Sequence, residues 1–388
     1  MRKTLLLVLT LTSLLGCTPT TNQNPALLLP DNKIQQTPFE EIATDIKLFT
    51  LKSHILMKGV EMLYGIDDLI FGLSEDHRTI YWIKGDSVIG QLEKYGRGHG
   101  EYTYINDFTY YPQDSILYVH TIDDRLLRFQ GLSGKYLGEC SEYQGNTGMQ
   151  ALDSRTLLAN GSYDGEDGLI HQGLFLIDAQ TGKLGKMICP MDYAQSLYYN
   201  DETQNYQSGD SIWFIVPGPG DDDNVVYMFL HDSARAQLSF KYDEKWRIPE
   251  STLLRELPVS YRTDIEFIIQ KLQPMMDYRL KESYCNGGLH LINSKDRMTF
   301  WSFAQMPQTI LNIIENKKDV SRYLITLPGF EDYVYPTFMF GDYYVTTFNT
   351  PFGIAITDEQ QLTPLGKQIK KEIDNSDGNP VLLLYHIK

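Results

Sequence analysis

Gly96-Arg97-Gly98-His99-Gly100-Glu101-Tyr102 opens the stretch that decides the fold. It continues through Ile105-Asn106-Asp107-Phe108, Asp114-Ser115-Ile116-Leu117-Tyr118-Val119, Asp123-Asp124-Arg125-Leu126-Leu127-Arg128-Phe129 and Gly134-Lys135-Tyr136-Leu137-Gly138. Short apolar runs rich in Tyr, Phe, Ile and Val alternate with Gly, Asp and Ser. The former suit a pleated, half-buried strand, and the latter suit tight turns. The pattern predicts a small antiparallel sheet, one blade of a β-propeller. Such a sheet buries too little apolar surface to stand alone and leaves two open edges, so it requires neighbours stacked around an axis.

The pattern recurs with drift. Residues 46–93 hold Ile46–Lys52, Asp68–Leu73, Thr79–Ile83 and Ser87–Leu92, and residues 150–188 hold Thr156–Ala159, Gly173–Asp178 and Lys183–Ile188. Residues 205–243 hold Asp210–Val216, Val225–Leu230 and Gln237–Tyr242. Residues 284–327 hold Gly288–Asn293, Met298–Ala304 and Arg322–Leu327 around a mixed stretch, Thr309 to Glu315. The last copy, 334–387, holds Thr337–Phe340, Tyr343–Phe348, Gly353–Thr357 and Val381–Ile387. With the opening stretch these make six copies, an all-β, six-bladed propeller over residues 39–388. The ring must close, so a strand near 46–52 or 381–387 is expected to complete a blade begun at the other terminus. Residues 250–282 break the pattern. Leu253, Leu254, Leu257, Ile265, Ile268, Ile269 and Leu272 have helical spacing, with Pro258 and Pro274 as breakers. They predict two short helices inserted between blades four and five, their apolar stripe packed on the propeller edge.

The N-terminus reads as an address. Arg2 and Lys3 precede a short apolar run, Thr4 to Leu15, which ends in Leu14-Leu15-Gly16-Cys17. The run is too short for a permanent span and reads as a signal peptide, residues 1–16. A small residue followed by Cys resembles a bacterial lipobox, which implies cleavage before Cys17 and acylation of its thiol. Residues 17–38, rich in Thr, Asn, Gln and Pro, read as a tether. No acidic cluster follows Cys17 before Asp31, which favours a periplasm-facing anchor over surface display. Removing Arg2 and Lys3 takes the net charge from −16 to −18. A chain this acidic repels phosphate backbones, so nucleic acid is not an expected partner. Cys140 and Cys189 fall on the outer strands of neighbouring blades, whose edges splay apart, so no bridge is expected between them.

Gly98, Gly100, Glu101 and Tyr102, then Ile116, Tyr118 and Val119, then Arg125, Leu126 and Phe129, then Gly134, Lys135 and Leu137 follow the pattern of NHL-type propeller repeats. With the lipobox and the tail Asp377-Gly378-Asn379-Pro380-Val381-Leu382-Leu383-Leu384-Tyr385, the chain resembles the TolB-like six-bladed propeller lipoproteins of Bacteroidetes. The resemblance implies this fold and an outer-membrane address, and supplies little chemistry.

Strand alternation puts the second-to-third-strand turns and the blade-to-blade links on one face. Two of these turns are expanded and acidic: Asn160–Gly168, with Asp164, Glu166 and Asp167, and Pro217–Asn224, with Asp221, Asp222, Asp223 and Asn224. Arg97 and His99 are expected on the same face. Long loops on a rigid scaffold concentrate binding residues, so these residues form an expected ligand rim. Oxygen-rich loops suit Ca2+, with Asp221 and Asp223 the candidate ligands. The consecutive Asp221 to Asp223 cannot all converge, however, and a solvated acidic turn is the plainer reading. The Gly96–Gly100 run is no nucleotide loop, since a strand rather than a helix follows it. The eight His are scattered with no metal-hydrolase spacing, and neither a Gly-x-Ser-x-Gly elbow nor a Ser-x-x-Lys occurs. The leading expectation is a lipid-anchored, non-enzymatic binding or assembly module with a protein or saccharide partner. The alternatives are a propeller hydrolase or lyase with a central-channel site, and a carbohydrate-binding component of a nutrient-uptake system.

Overall fold

The structure, a computed structural model, describes residues 26–54, 57, 59–60, 62–146, 148–198, 206–208, 211–244, 249–275, 297–303, 309–330, 336–350 and 353–388. The expected signal peptide, Cys17, Cys285, the strand Gly288–Asn293 and residues 276–282 of the expected insertion lie outside these residues. Six sheets make a six-bladed β-propeller. The second blade is built as its sequence reads: Ile105–Tyr111, Ile116–Thr121, Leu126–Gln130 and Lys135–Cys140 pair in order. Ser115 and Asp124 take the left-handed conformation that its tight turns need.

Six apolar clusters hold the wheel, one at each blade-to-blade interface. Phe71, Trp82, Tyr102, Phe108 and Phe129 fill the space between blades one and two. Leu51, Tyr81, Val345 and Leu382 do the same between blades six and one. Each sheet is therefore buried on both faces, and the strand Leu69–Leu73 is buried at every position. In five blades the pairing of the third and fourth strands slips, at Trp82/Ile83, Arg128/Phe129, Leu174/Phe175, Val226/Tyr227 and Leu384/His386. A bulge increases local twist. Neighbouring blades also meet at their outer turns: the N–H of Gln144 donates to Gly182 O at 2.9 Å, and Lys186 Nζ to Asp232 O at 2.9 Å.

The N-terminal chain departs from the expectation. Residues 27–38 are not a free tether. Strand β1 (Leu27–Leu29) adds in parallel to the outer edge of blade four, beside Phe240–Tyr242, and β2 (Ile34–Pro38) adds in parallel to the edge of blade five, beside Arg322–Thr326. Strand β3 (Ala43–Thr50) then pairs antiparallel with Val381–Ile387 as the outer strand of blade six. The stretch 46–52 thus belongs to the last blade rather than the first, whose inner strand is Met62–Ile66. Lys52 goes on to bridge Ser87 of blade one. Residues 27–52 form a belt over four consecutive blades, and the N-terminal strand closes the ring. At the seam the Tyr343 hydroxyl donates to the Asp45 carboxylate and Lys47 Nζ donates to the hydroxyl. These contacts, the Tyr343 bond foremost, hold the Asp45 carboxyl below its ordinary value.

One buried cation locks the belt. Arg322, 3% exposed, donates through Nε to Asn312 Oδ1 at 2.9 Å and through Nη1 to Leu29 O at 2.7 Å and Asp31 Oδ1 at 3.0 Å. The Asp31 N–H in turn donates to Asp243 Oδ2 at 2.7 Å. The crossing between β1 and β2 is therefore fixed from both blades.

Two further expectations are corrected. Gly353–Thr357 is not a strand but two isolated bridges, Phe348 to Ile354 and Phe330 to Ile356. A helix, Pro364–Asp374, follows it, capped by Thr363 and packed through Ile369 into the blade five–six core. The expanded turn of blade three is largely strand, because the hairpin runs out to the pair Asp164–Ile170 and leaves Gly165–Leu169 as the loop.

Arg322→Met removes the buried partner of Asp31 and Leu29 O. It is expected to lower the unfolding free energy by about 3–5 kcal/mol and to open residues 26–38 to protease. Denaturant midpoints and the mapped cleavage sites check both outcomes.

Candidate functional site

The loop face is built where the second-to-third-strand turns open, and the insertion after blade four lies across it. The insertion holds 3-10 turns at Glu250–Thr252 and Val259–Arg262 and a helical stretch from Ile265 to residue 275. Backbone bonds strap it to the blade-three loop: the Val259 N–H donates to Gly168 O at 2.9 Å, and the Ile170 N–H to Leu257 O at 2.8 Å. Asp264 caps the helical stretch by accepting from the Phe267 N–H.

Two arginines of the insertion meet the acidic loops. Arg255 reaches Asp192 at 2.8 Å, Asp222 at 2.5 Å and Glu250 at 3.0 Å. Burial works against its charge, but Asp192, Glu250 and Asp222 more than offset this and hold the guanidinium above its ordinary value. Arg262 makes a bidentate pair with Asp164, at 2.6 and 2.8 Å, and that contact holds the Asp164 carboxyl below its ordinary value. Asp164 and Asp222 of the expected acidic rim are thus paired from within the chain, while the face as a whole stays acidic.

The other rim residues separate. Asp167 accepts the Leu169 N–H, which leads in lowering its carboxyl, and faces His171 Nε2 at 3.1 Å. His171 stacks on Tyr163, with ring centroids 5.2 Å apart. Asn224 is buried and structural: its Oδ1 accepts the Gly218 N–H and its Nδ2 donates to Phe240 O. Lys241 Nζ sits 3.1 Å from Asp223 Oδ1 and donates to Asp221 O at 2.6 Å. An ammonium thus occupies the position between the two residues considered for Ca2+. Among the described residues no group of three His, Cys, Asp or Glu could hold a metal ion. Glu166 is exposed beside Asp167. Arg97 is exposed, and His99 lies edge-on to Tyr136 on the outer strand of blade two, 4.6 Å between centroids.

Sequence reading missed Arg255 and Arg262, the residues that organise the face. Their signal was present, as two cations seven residues apart around Pro258 in a segment otherwise read for its apolar stripe. That stripe is itself split. Leu257 and Met275 are buried, 3% and 0% exposed, while Ile265 and Ile269, one turn apart, are 70% and 63% exposed. Ile268 and Leu272 are half-buried, so within the helical stretch the expected packing of the stripe fails at Ile265 and Ile269. Elsewhere, an open hollow of about 450 Å3 between Asn349 and Thr350, Gly353 to Ile356 and the helix at Ile373 carries no titratable group among the described residues.

His120 lies between blades two and three, 3% exposed and edge-on to Tyr143 at 4.8 Å. Among the described residues neither ring nitrogen has a hydrogen-bond partner, and Asp124 stands off at 3.8 Å. Burial pushes its pKa below the ordinary 6.5, with Asp124 opposing. Cys140 and Cys189 are buried free thiols.

Fold and face together define a class: a six-bladed propeller whose loop face is strapped by its own insertion. No protein-family model matches the chain, and no curated protein matches it. Among solved structures, a Bacteroides fragilis NCTC 9343 protein described as exported is similar in fold, with a TM-score of 0.59 at 12% identity over 94% of this chain and 100% of that one. A member of the DUF4221 family from Bacteroides vulgatus gives 0.42 at 9% identity, covering 89% and 98% of the two chains. BamB from Moraxella catarrhalis gives 0.35 at 11% identity, covering 89% and 100%. The first likeness supports the fold alone, and the other two are too distant to bear on function. Among the described residues no helix is long and apolar enough to cross a membrane.

The native His120 pKa lies below the unfolded value of 6.5, so the unfolded chain binds the extra proton. Stability from this residue is therefore complete above pH 6.5 and declines as pH falls through 6.5 toward the native value. Denaturant titrations from about pH 7.5 to about pH 5.5 should show this slope, and His120→Phe should flatten it. Arg255→Ala should speed amide exchange across residues 250–275 while exchange in blade two stays unchanged.

Proposed function

We propose that the protein is a lipid-anchored envelope protein whose propeller acts as a non-enzymatic binding or assembly module. It engages a protein partner through the strapped insertion on the loop face. One observation carries this reading: Ile265 and Ile269 are held in solvent on a segment fixed at its base by Arg255, on Asp192 and Asp222, and by Arg262, on Asp164. A fixed apolar ridge ringed by charge is the kind of surface that contributes the desolvated centre of an interface. The anchor follows from the lipobox-like Leu14-Leu15-Gly16-Cys17, and the described export of the Bacteroides fragilis fold relative agrees with an envelope address. A saccharide reading has one observation on its side: Tyr163, 47% exposed, is backed by His171 and offers a ring face.

A photo-crosslinking amino acid placed at 265 or 269 in intact cells should give one discrete protein adduct that is absent with the same group at 89. Identical patterns at all three positions, or none, would overturn the protein-partner reading. Retention on a polysaccharide gel that Tyr163→Ala abolishes would favour the saccharide reading instead.

A further inference from the structure

The belt decides how far the propeller can stand from whatever holds its N-terminus. If residues 17–38 were all tether, the leash from Cys17 to the first fixed residue, Phe39, would be 22 residue steps, or about 75 Å at full stretch. The chain is instead fixed from Leu27 onward. Strand β1 pairs with the edge of blade four, and Arg322 grips Leu29 O and Asp31 where the belt crosses to blade five. Ten residue steps separate Cys17 from Leu27, a reach of roughly 35 Å at most.

We infer that the propeller is held rim-on to a lipid surface, with the outer edge of blade four nearest the bilayer and blade one farthest from it. This rests on the anchor proposed above. The leash starts at one rim, not at the axis, so it cannot present all blades equally. Adsorption does not compete with it, because a chain of net charge −18 after loss of Arg2 and Lys3 is repelled by anionic headgroups. The same geometry sets the insertion on the membrane-proximal half, since Arg262 and Arg255 tie it to Asp164 of blade three and Asp222 of blade four. The ridge of Ile265 and Ile269 is then within reach of partners in the same membrane.

The test uses the full chain, expressed with its own leader. The mass of the N-terminal peptide is read first for a diacylglyceryl group on Cys17. The protein is then reconstituted in vesicles of phosphatidylethanolamine and phosphatidylglycerol carrying an acceptor dye on the headgroup. A donor dye is attached through an azido amino acid at Arg235, exposed on the outer strand of blade four, or at Ile89, 49% exposed on the outer strand of blade one. Transfer from position 235 should exceed that from 89 by at least about twofold, and about twenty Gly/Ser residues inserted after Asn24 should bring the ratio near one. Equal transfer in the acylated parent overturns this inference alone, as does a ratio that survives the insertion. Absence of the acyl mass overturns the anchor, and the rim orientation falls with it.

Discussion

Everything in this molecule depends on burying both faces of every sheet. A blade with one bare face would expose rings such as Phe71, Trp82 and Phe108, each of which carries on the order of 150–250 Å2 of surface. Six interfaces bury them only if the wheel is complete. Completion rests on one pairing, β3 against Val381–Ile387, which joins residues more than three hundred apart in sequence. The seam is therefore the step at which local sheets become one cooperative unit. The belt extends the same idea: β1 and β2 cover the edges of blades four and five, which would otherwise present unpaired backbone groups.

The loop face shows how charge and shape are coupled. Asp164, Asp192 and Asp222 on adjacent blades would repel one another if left open. Arg255 and Arg262 arrive from a single insertion and turn that repulsion into attachment. The outcome is a platform. Asp164, Asp192 and Asp222 are engaged in holding the insertion, which carries Ile265 and Ile269 exposed. Lys241 plays the same part between Asp221 and Asp223.

His120 is a different kind of feature. Its buried imidazole packs edge-on to Tyr143, and burial pushes its pKa down against the opposing pull of Asp124. Its presence at a blade interface links that interface to proton concentration, whatever the protein binds.

Much of this was legible in the sequence. The 96–138 stretch fixes four strands and their turns, because apolar alternation and residues such as Ser115, Asp124 and Gly134 act over a few positions. Blade number follows from counting such stretches, and the helical spacing near 265 marks the insertion. The partner of Asp31 is Arg322, 291 residues away, and that of Asp164 is Arg262, 98 residues away. No local pattern encodes those distances. Leu27–Leu29 and Ile34–Pro38 look like a polar tether with an apolar patch, since a strand that adds to an existing edge is held by backbone hydrogen bonds and needs few side-chain signals. Local sequence therefore determined the blades, while only the closed ring decided which edges the N-terminus covers and which charges the insertion cancels. The physical reason is that both depend on surfaces that exist only once the blades have assembled.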